Sequence, residues 1–298
     1  MGARLPEISV LLQVAFGGLT MGAVYGILAV SLLMVYRVSK IICFAQGEFF
    51  VIGGLALATL TEQAGLPLWA AIPVVLLGAA LLGLAIERGA ISPVQRSGIG
   101  IVITMTIALS IALQGLALPI WGRQAHTVAP FVVAAPVEVL GAFVSAQVLI
   151  VIGTAVAVYV LLWLFFTRTT LGLAMRAAAQ APVGAQLVGI SVRKLNRIGW
   201  ASGVALGALA GMVVAPVIFL TYASGTMPMV KAFIAMAIGG LGSTAGALVG
   251  GFLVGTLEAY TIGFLSSEFA DAIVFGVLIL FLLVRPTGVF AASDKGGM

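Results

Sequence analysis

Two carboxylates stand where carboxylates are costly. Glu48 sits in Phe44-Ala45-Gln46-Gly47-Glu48-Phe49-Phe50 and Glu258 in Gly255-Thr256-Leu257-Glu258-Ala259-Tyr260, both inside apolar runs. An ionised group away from water is expensive enough to imply a substrate, ion or proton path unless a basic neighbour explains it. For Glu48 the basic neighbours are Arg37 and Lys40; Lys40 lies eight residues away, about 12 Å along a helix. An ion pair near the membrane interface is therefore the alternative to function there. Gln46, two residues before Glu48, joins Glu48 and Glu258 as a candidate pathway residue.

Other chemistry is missing from the chain. No G-x-x-x-x-G-K-[ST] stretch occurs, so the chain is not itself an ATP motor of the P-loop type. Neither a Ser/His/Asp arrangement nor H-E-x-x-H is present. The single histidine, His126, lacks companions for a metal site and is expected at the surface. With one cysteine, Cys43, no internal disulfide can form. An enzyme is not expected, nor any cofactor or metal in this chain.

The most polar long interval runs from Arg168 to Arg197. It carries Arg168, Arg176, Arg193, Lys194 and Arg197 and no acid. Ala174 to Ala181 is built of strong helix formers, too short to cross a bilayer. Pro182 should end that helix, because the residue before proline is pushed out of α geometry, and Gly189 should supply the following turn. Such a short helix can be pushed by another protein: Ala177, Ala178 and Ala179 are small enough to seat against a surface, and Arg176 can pair with an acid there.

These residues must be positioned by membrane helices. The 298 residues are 62% hydrophobic and 8% charged, whereas a soluble domain is about 45–50% apolar and about 25% charged. The net charge of +5 comes from cations lying between apolar runs, not on one helix face, so bilayer orientation explains it and nucleic acid is not expected. Apolar intervals fall at about 8–36, 43–60, 68–86, 99–120, 145–166, 199–221, 229–241, 246–264 and 270–284. The expected fold is all-α and polytopic, one domain over 1–298, with eight or nine transmembrane helices, because 229–241 is short and could be broken or re-entrant. The first run is too long for a signal peptide and is read as a retained span.

With the N-terminus outside, the cytoplasmic ends collect Arg37, Lys40, Arg88, Arg96, Arg168, Arg176, Arg193, Lys194, Arg197, Arg285 and Lys295, eleven of fourteen cations. Arg4, Arg123 and Lys231 remain outside. This bias places 168–197 and the C-terminus in the cytoplasm and the loop 121–145 outside. Gly18, Gly22 and Gly26 recur every fourth residue, as do Gly203, Gly207 and Gly211, and Gly242, Gly246 and Gly250; each set lets helix backbones approach closely. Gly18–Tyr36 also echoes Gly242–Tyr260 at seven of 19 positions, the mark of an inverted-topology pair if the similarity is not chance.

The run Tyr36-Arg37-Val38-Ser39-Lys40-Ile41-Ile42-Cys43-Phe44-Ala45-Gln46-Gly47-Glu48-Phe49 resembles the N-F-A-[HQ]-G-[DE]-F signature of the high-affinity branched-chain amino acid permease family of ABC importers. Gly172-Leu173-Ala174-Met175-Arg176-Ala177 with Gly189-Ile190 resembles that family's cytoplasmic loop. Lys231-Ala232-Phe233 with Gly239-Gly240-Leu241-Gly242-Ser243 resembles its K-A-F and G-G-L-G-S block, and Arg285-Pro286-Thr287-Gly288 its R-P-x-G end. Cys43 replaces the usual Asn, and Gln46 stands where His is frequent.

The resemblance implies an inner-membrane permease subunit translocating branched-chain amino acids or related small polar organic solutes. Its implied partners are a second permease subunit, two ABC ATPases carrying the ATP, an external substrate-binding protein and membrane lipid. Arg176, Ala177, Ala178, Ala179 and Gly189 would then couple it to the ATPases. The rival reading is an ion-coupled secondary transporter using Glu48 and Glu258.

Overall fold

Ile8–Ser39 forms α1, 32 residues long and buried throughout from Ala23 to Val35. A helix apolar on every side belongs inside a bundle, and α1 is the helix around which the others gather. The computed structural model describes residues 8–95, 97–139, 141–285 and 287–290; Arg4, Arg96, Pro286 and Lys295 lie outside the described residues.

At the end of α1 the chain doubles back. Lys40 donates its backbone N–H to Tyr36 at 2.8 Å and takes φ 57°, a left-handed turn. The segment 40–45 then returns along α1 until Gln46, the first residue of α2 (Gln46–Ala58), reaches Ser31. Ser31 lies eight residues before the end of α1, so α2 starts about 12 Å inside the bundle. A π-helical turn, Thr59–Gln63, continues α2. Next come α3 (Leu68–Ile86), a π-helical turn at Glu87–Ile91, the single turn α4 (Ser92–Val94) and α5 (Ile99–Trp121). A hairpin of β1 (Val137–Val139) and β2 (Ala142–Val144) pairs Glu138 with Phe143. It departs from the all-α expectation. The rest is helical: α6 (Ala146–Arg168), α7 (Thr170–Gln180), α8 (Pro182–Leu187), α9 (Val192–Val214), α10 (Thr226–Gly239), α11 (Thr244–Phe264) and α12 (Ser267–Val284). Side-chain caps begin three of these, with Thr169, Ser243 and Ser266 accepting from the backbone N–H of Gly172, Gly246 and Glu268.

Each of the nine apolar intervals is helical, but among the described residues seven helices are long and apolar enough to cross a membrane. That is fewer than the eight or nine expected. The difference lies in α2 and α10, of 13 and 14 residues, which rise only about 20 Å against a hydrocarbon core of about 30 Å. The expected short segment near 229–241 is therefore present as α10, and α2 is a second one. The outer helices α3, α5, α6 and α12 keep wide apolar faces exposed, with Leu77, Ile111, Leu161 and Leu283 all outward. Such faces suit lipid.

Glycine sets the helix contacts. Gly18 approaches Thr256, Gly22 approaches Phe252 and Gly26 approaches Leu248, so α1 and α11 run antiparallel in direct contact. The two halves of the sequence echo are thus packed on one another in opposite directions. On α9, Gly203 lies against Ser31 and Val35, Gly207 against Gln46 and Phe49, and Gly211 against Phe50 and Gly54. The third set divides. Gly246 and Gly250 meet Gly239 and Ala235 of α10, whereas Gly242 has open space beside it.

Candidate functional site

Doubling back at Lys40 decides the surroundings of the α2 N-terminus. Gln46 is fully buried; its Nε2 donates to Ser31 Oγ and to the Gly203 carbonyl, both at 2.9 Å, while its Oε1 is buried without a hydrogen bond. One side chain thereby ties α2 to α1 and α9. Glu48, 2% exposed, lies two residues further on and accepts from Ser110 Oγ of α5 at 3.2 Å. Phe44 N donates to Thr106 Oγ1, also of α5, at 3.4 Å.

Glu48 has no ion-pair partner among the described residues. The ion pair with Arg37 or Lys40, the alternative to function, does not form. Arg37 instead bonds the Gly242 carbonyl and Thr244 Oγ1 and lies 4.4 Å over the Phe166 ring, and Lys40 lies over Tyr36. Both cations stay at the end of α1 while the returning segment carries Glu48 inward. The carboxylate sits in the first turn of a helix, where the N-terminal end of the helix dipole favours negative charge.

A second helix start meets this one. Gly225, which precedes α10, and Met229, in its first turn, both pack against Gly47. Two short helices thus bring their N-termini together inside the bundle. Broken helices of transporters use such an arrangement at substrate sites, because free N–H groups and the dipole favour anionic groups.

Glu258 belongs elsewhere. Its Oε1 accepts from Lys231 Nζ at 2.8 Å, and the same ammonium lies 2.8 Å from Asp271 Oδ1 and 5.9 Å from the centre of the Tyr25 ring. No hydrogen bond or ion pair joins Glu258 to Glu48 among the described residues. The pathway candidates therefore divide into Gln46 with Glu48, brought together, and Glu258, neutralised by a lysine. The sequence reading counts Lys231 among the outside cations, as a topology marker only, and passes over Ser31, Ser110 and Asp271. The usable signal is polarity inside apolar runs, which also marks Ser31, Ser110 and Asp271.

The basic interval lies at the opposite end of α1 from the hairpin. Gln13 and Phe143 exchange two hydrogen bonds at 3.2 and 3.0 Å near the start of α1, whereas Phe166 and Met175 pack on Arg37 and Met34 near its end. As expected, α7 stops before Pro182, which opens α8, and Gly189 turns at φ 83°. On α7 the buried residues are Gly172, Met175 and Ala178, spaced by three, so Ala178 faces the chain's own cluster with Met34, Phe166, Ala185 and Leu195. That corrects the expectation for Ala178: consecutive helix residues point about 100° apart, so three alanines in a row cannot all face one partner. Arg176 and Ala177 are exposed and Ala179 is half-buried. Beyond them α8 and its end present Val183, Leu187 and Val188 at 72, 84 and 75% exposure, an apolar patch at a polar end of the molecule. His126 is not a free surface residue. It bridges to Leu220 through the backbone, and its Nε2 lies 3.0 Å from the Trp121 carbonyl.

Residues 14–283 match the family described as "Branched-chain amino acid transport system / permease component". The chain is 32% identical to the high-affinity branched-chain amino acid transport system permease protein LivH of Salmonella typhimurium, over 95% of this chain and 96% of that one. It is 31% identical to the corresponding protein BraD of Pseudomonas aeruginosa, covering 97% and 99%. The probable branched-chain amino acid transport permease protein LivH of Methanocaldococcus jannaschii is 27% identical, covering 90% and 89%.

Proposed function

Because this chain belongs to the branched-chain amino acid transport permease family, we propose that it is the membrane-spanning subunit of an importer driven by separate ATPases, moving branched-chain amino acids inward. The solute is the one named for its relatives. The observation that carries the reading in this chain is α2: a short helix starting inside the bundle, with a carboxylate in its first turn that has no ion-pair partner among the described residues, and a glycine contact to the start of another short helix. An amino acid carries an ammonium and a carboxylate; Glu48 offers the counter-charge for the first, and the positive dipole ends of the two helix starts suit the second.

Energy enters at the other end. The exposed patch of Val183, Leu187 and Val188, beside Ala177 and Arg176, is the proposed seat of an ATPase. From it α9 runs unbroken past Gly203 and Gly207 to the Gln46 contacts, so displacement of the loop is delivered to the start of α2. ATP stays on the ATPases. A second permease, two such ATPases and an external binding protein complete the proposed assembly. The ion-coupled alternative loses one of its two carboxylates, since Glu258 is held by Lys231.

In the proposed orientation the N-terminus is outside, and 168–197 and the C-terminus are cytoplasmic. Labelling of single cysteines in intact cells, with Cys43 replaced, tests this. An impermeant maleimide should modify Val133→Cys and leave Arg193→Cys untouched until the cells are opened; both positions are exposed. Labelling of 193 but not 133 from outside would put the ATPase seat on the wrong side and end the reading.

A further inference from the structure

We infer that Lys231 is a positioning residue for α10 and that its bond to Asp271 is a releasable latch over the meeting point of the two short helices. The three charges sit on three elements: Lys231 on α10, Glu258 on α11 and Asp271 on α12. Both carboxylates lie 2.8 Å from one ammonium, yet the side chains of Lys231, Glu258 and Asp271 are 9, 13 and 45% exposed. A lysine held away from water needs one carboxylate for neutrality, and removing that one leaves an uncompensated charge. Glu258, the buried partner, fills this role. Asp271 is then surplus to charge balance. Half-exposed, it can exchange the ammonium for water at little cost, as exposed ion pairs do.

What the second bond does follows from what α10 carries. Its first turn holds Met229 against Gly47, and Gly225 just before it meets the same glycine. Any swing of α10 therefore opens or closes the approach to the start of α2. On one side α10 is fixed by backbone contacts of Gly239 and Ala235 with Gly246 and Gly250 of α11. On the other it is tied to α12, a peripheral helix with only Ala270 and Val274 buried. The Lys231–Asp271 bond is thus a polar tie between the N-terminal half of α10 and the rim of the molecule. Its bearing on transport rests on the permease reading, but its existence does not.

The test uses the whole purified chain in detergent, with Cys43→Ala and one reporter, Met229→Cys, and follows the rate of maleimide modification. Met229 is buried, so modification reports opening at Gly47. Asp271→Asn should raise that rate about two- to five-fold, since the amide keeps the acceptor oxygen and loses the charge of a half-exposed pair. It should not alter the rate at Val151→Cys, a buried site on α6. Asp271→Glu should bring the rate at 229 back toward the parent value, and Glu258→Gln should instead lower the yield of folded protein. An unchanged rate at 229, an equal rise at 151, or failure of Asp271→Asn to fold would each overturn the latch. A chain that transports nothing would leave these rates as they are, so loss of the permease reading and loss of the latch are separable.

Discussion

Gly255→Leu is expected to prevent the bundle from assembling. A Cβ on Gly255 would fall on the backbone N and Cα of Gly22 and beside the Gly18 carbonyl, so atoms of two main chains would have to part. Flexible side chains can yield; backbone at the centre of α1 cannot without separating α1 from α11 over several turns. Overpacking a filled interior costs about 1–3 kcal/mol, and this contact, between the most buried helix and its antiparallel partner, stands at or beyond the upper end. The measurement is the yield of monodisperse protein in detergent, with Gly153→Leu as control. Gly153 has open space around it on α6, and leucine is the better helix former by about 1 kcal/mol. Gly207→Leu falls between the two, since its nearest obstacle is Gln46 Nε2 at 2.6 Å. It should fold poorly and disturb the start of α2. Equal yields for Gly255→Leu and Gly153→Leu would mean that α1 and α11 do not pack on glycine.

Leu187→Glu should release the ATPases while leaving this chain folded. The side chain is 84% exposed, so the folded chain loses no burial when it changes. In a docked complex the same position would hold a carboxylate in an apolar contact. A central interface residue contributes about 2–4 kcal/mol, and a loss of that size weakens binding by about 30-fold to about 1,000-fold. ATPase retained on the tagged permease during purification should fall accordingly, with the permease's own yield unchanged. Ala177→Trp, at an exposed position, should act in the same direction. Ala178→Trp should not be used for this purpose, because it would strike the cluster around Met34 and Phe166 and damage the loop itself. Full ATPase retention by both Leu187→Glu and Ala177→Trp would remove this face from the coupling route.

Much of the architecture was legible because it is local. All nine apolar intervals became helices, the loop helix stopped at Pro182, and the glycines spaced by four, Gly242 apart, became contact faces. What escaped the sequence depends on tertiary direction. Eight residues between Lys40 and Glu48 suggest a neighbour along one helix, but the left-handed turn at Lys40 sends the chain backward and separates the two charges. Glu258 looked free only because its partner Lys231 lies 27 residues away on another helix. Ser110, 62 residues from Glu48, could not be paired with it by spacing. The face of α7 was readable in part: positions 172, 175 and 178 follow a helical period, yet sequence alone could not say which stripe turns inward.

The central claim is that transport by this chain draws on ATP held by partner subunits. The direct measurement is uptake of radiolabelled leucine into proteoliposomes containing this permease with the proposed second permease, ATPases and external binding protein. The account predicts uptake that requires ATP at the face bearing 168–197, requires the binding protein at the other, and is lost in Leu187→Glu. Uptake by the permease without ATPases, driven by an imposed proton or sodium gradient and abolished by Glu48→Gln, would contradict it.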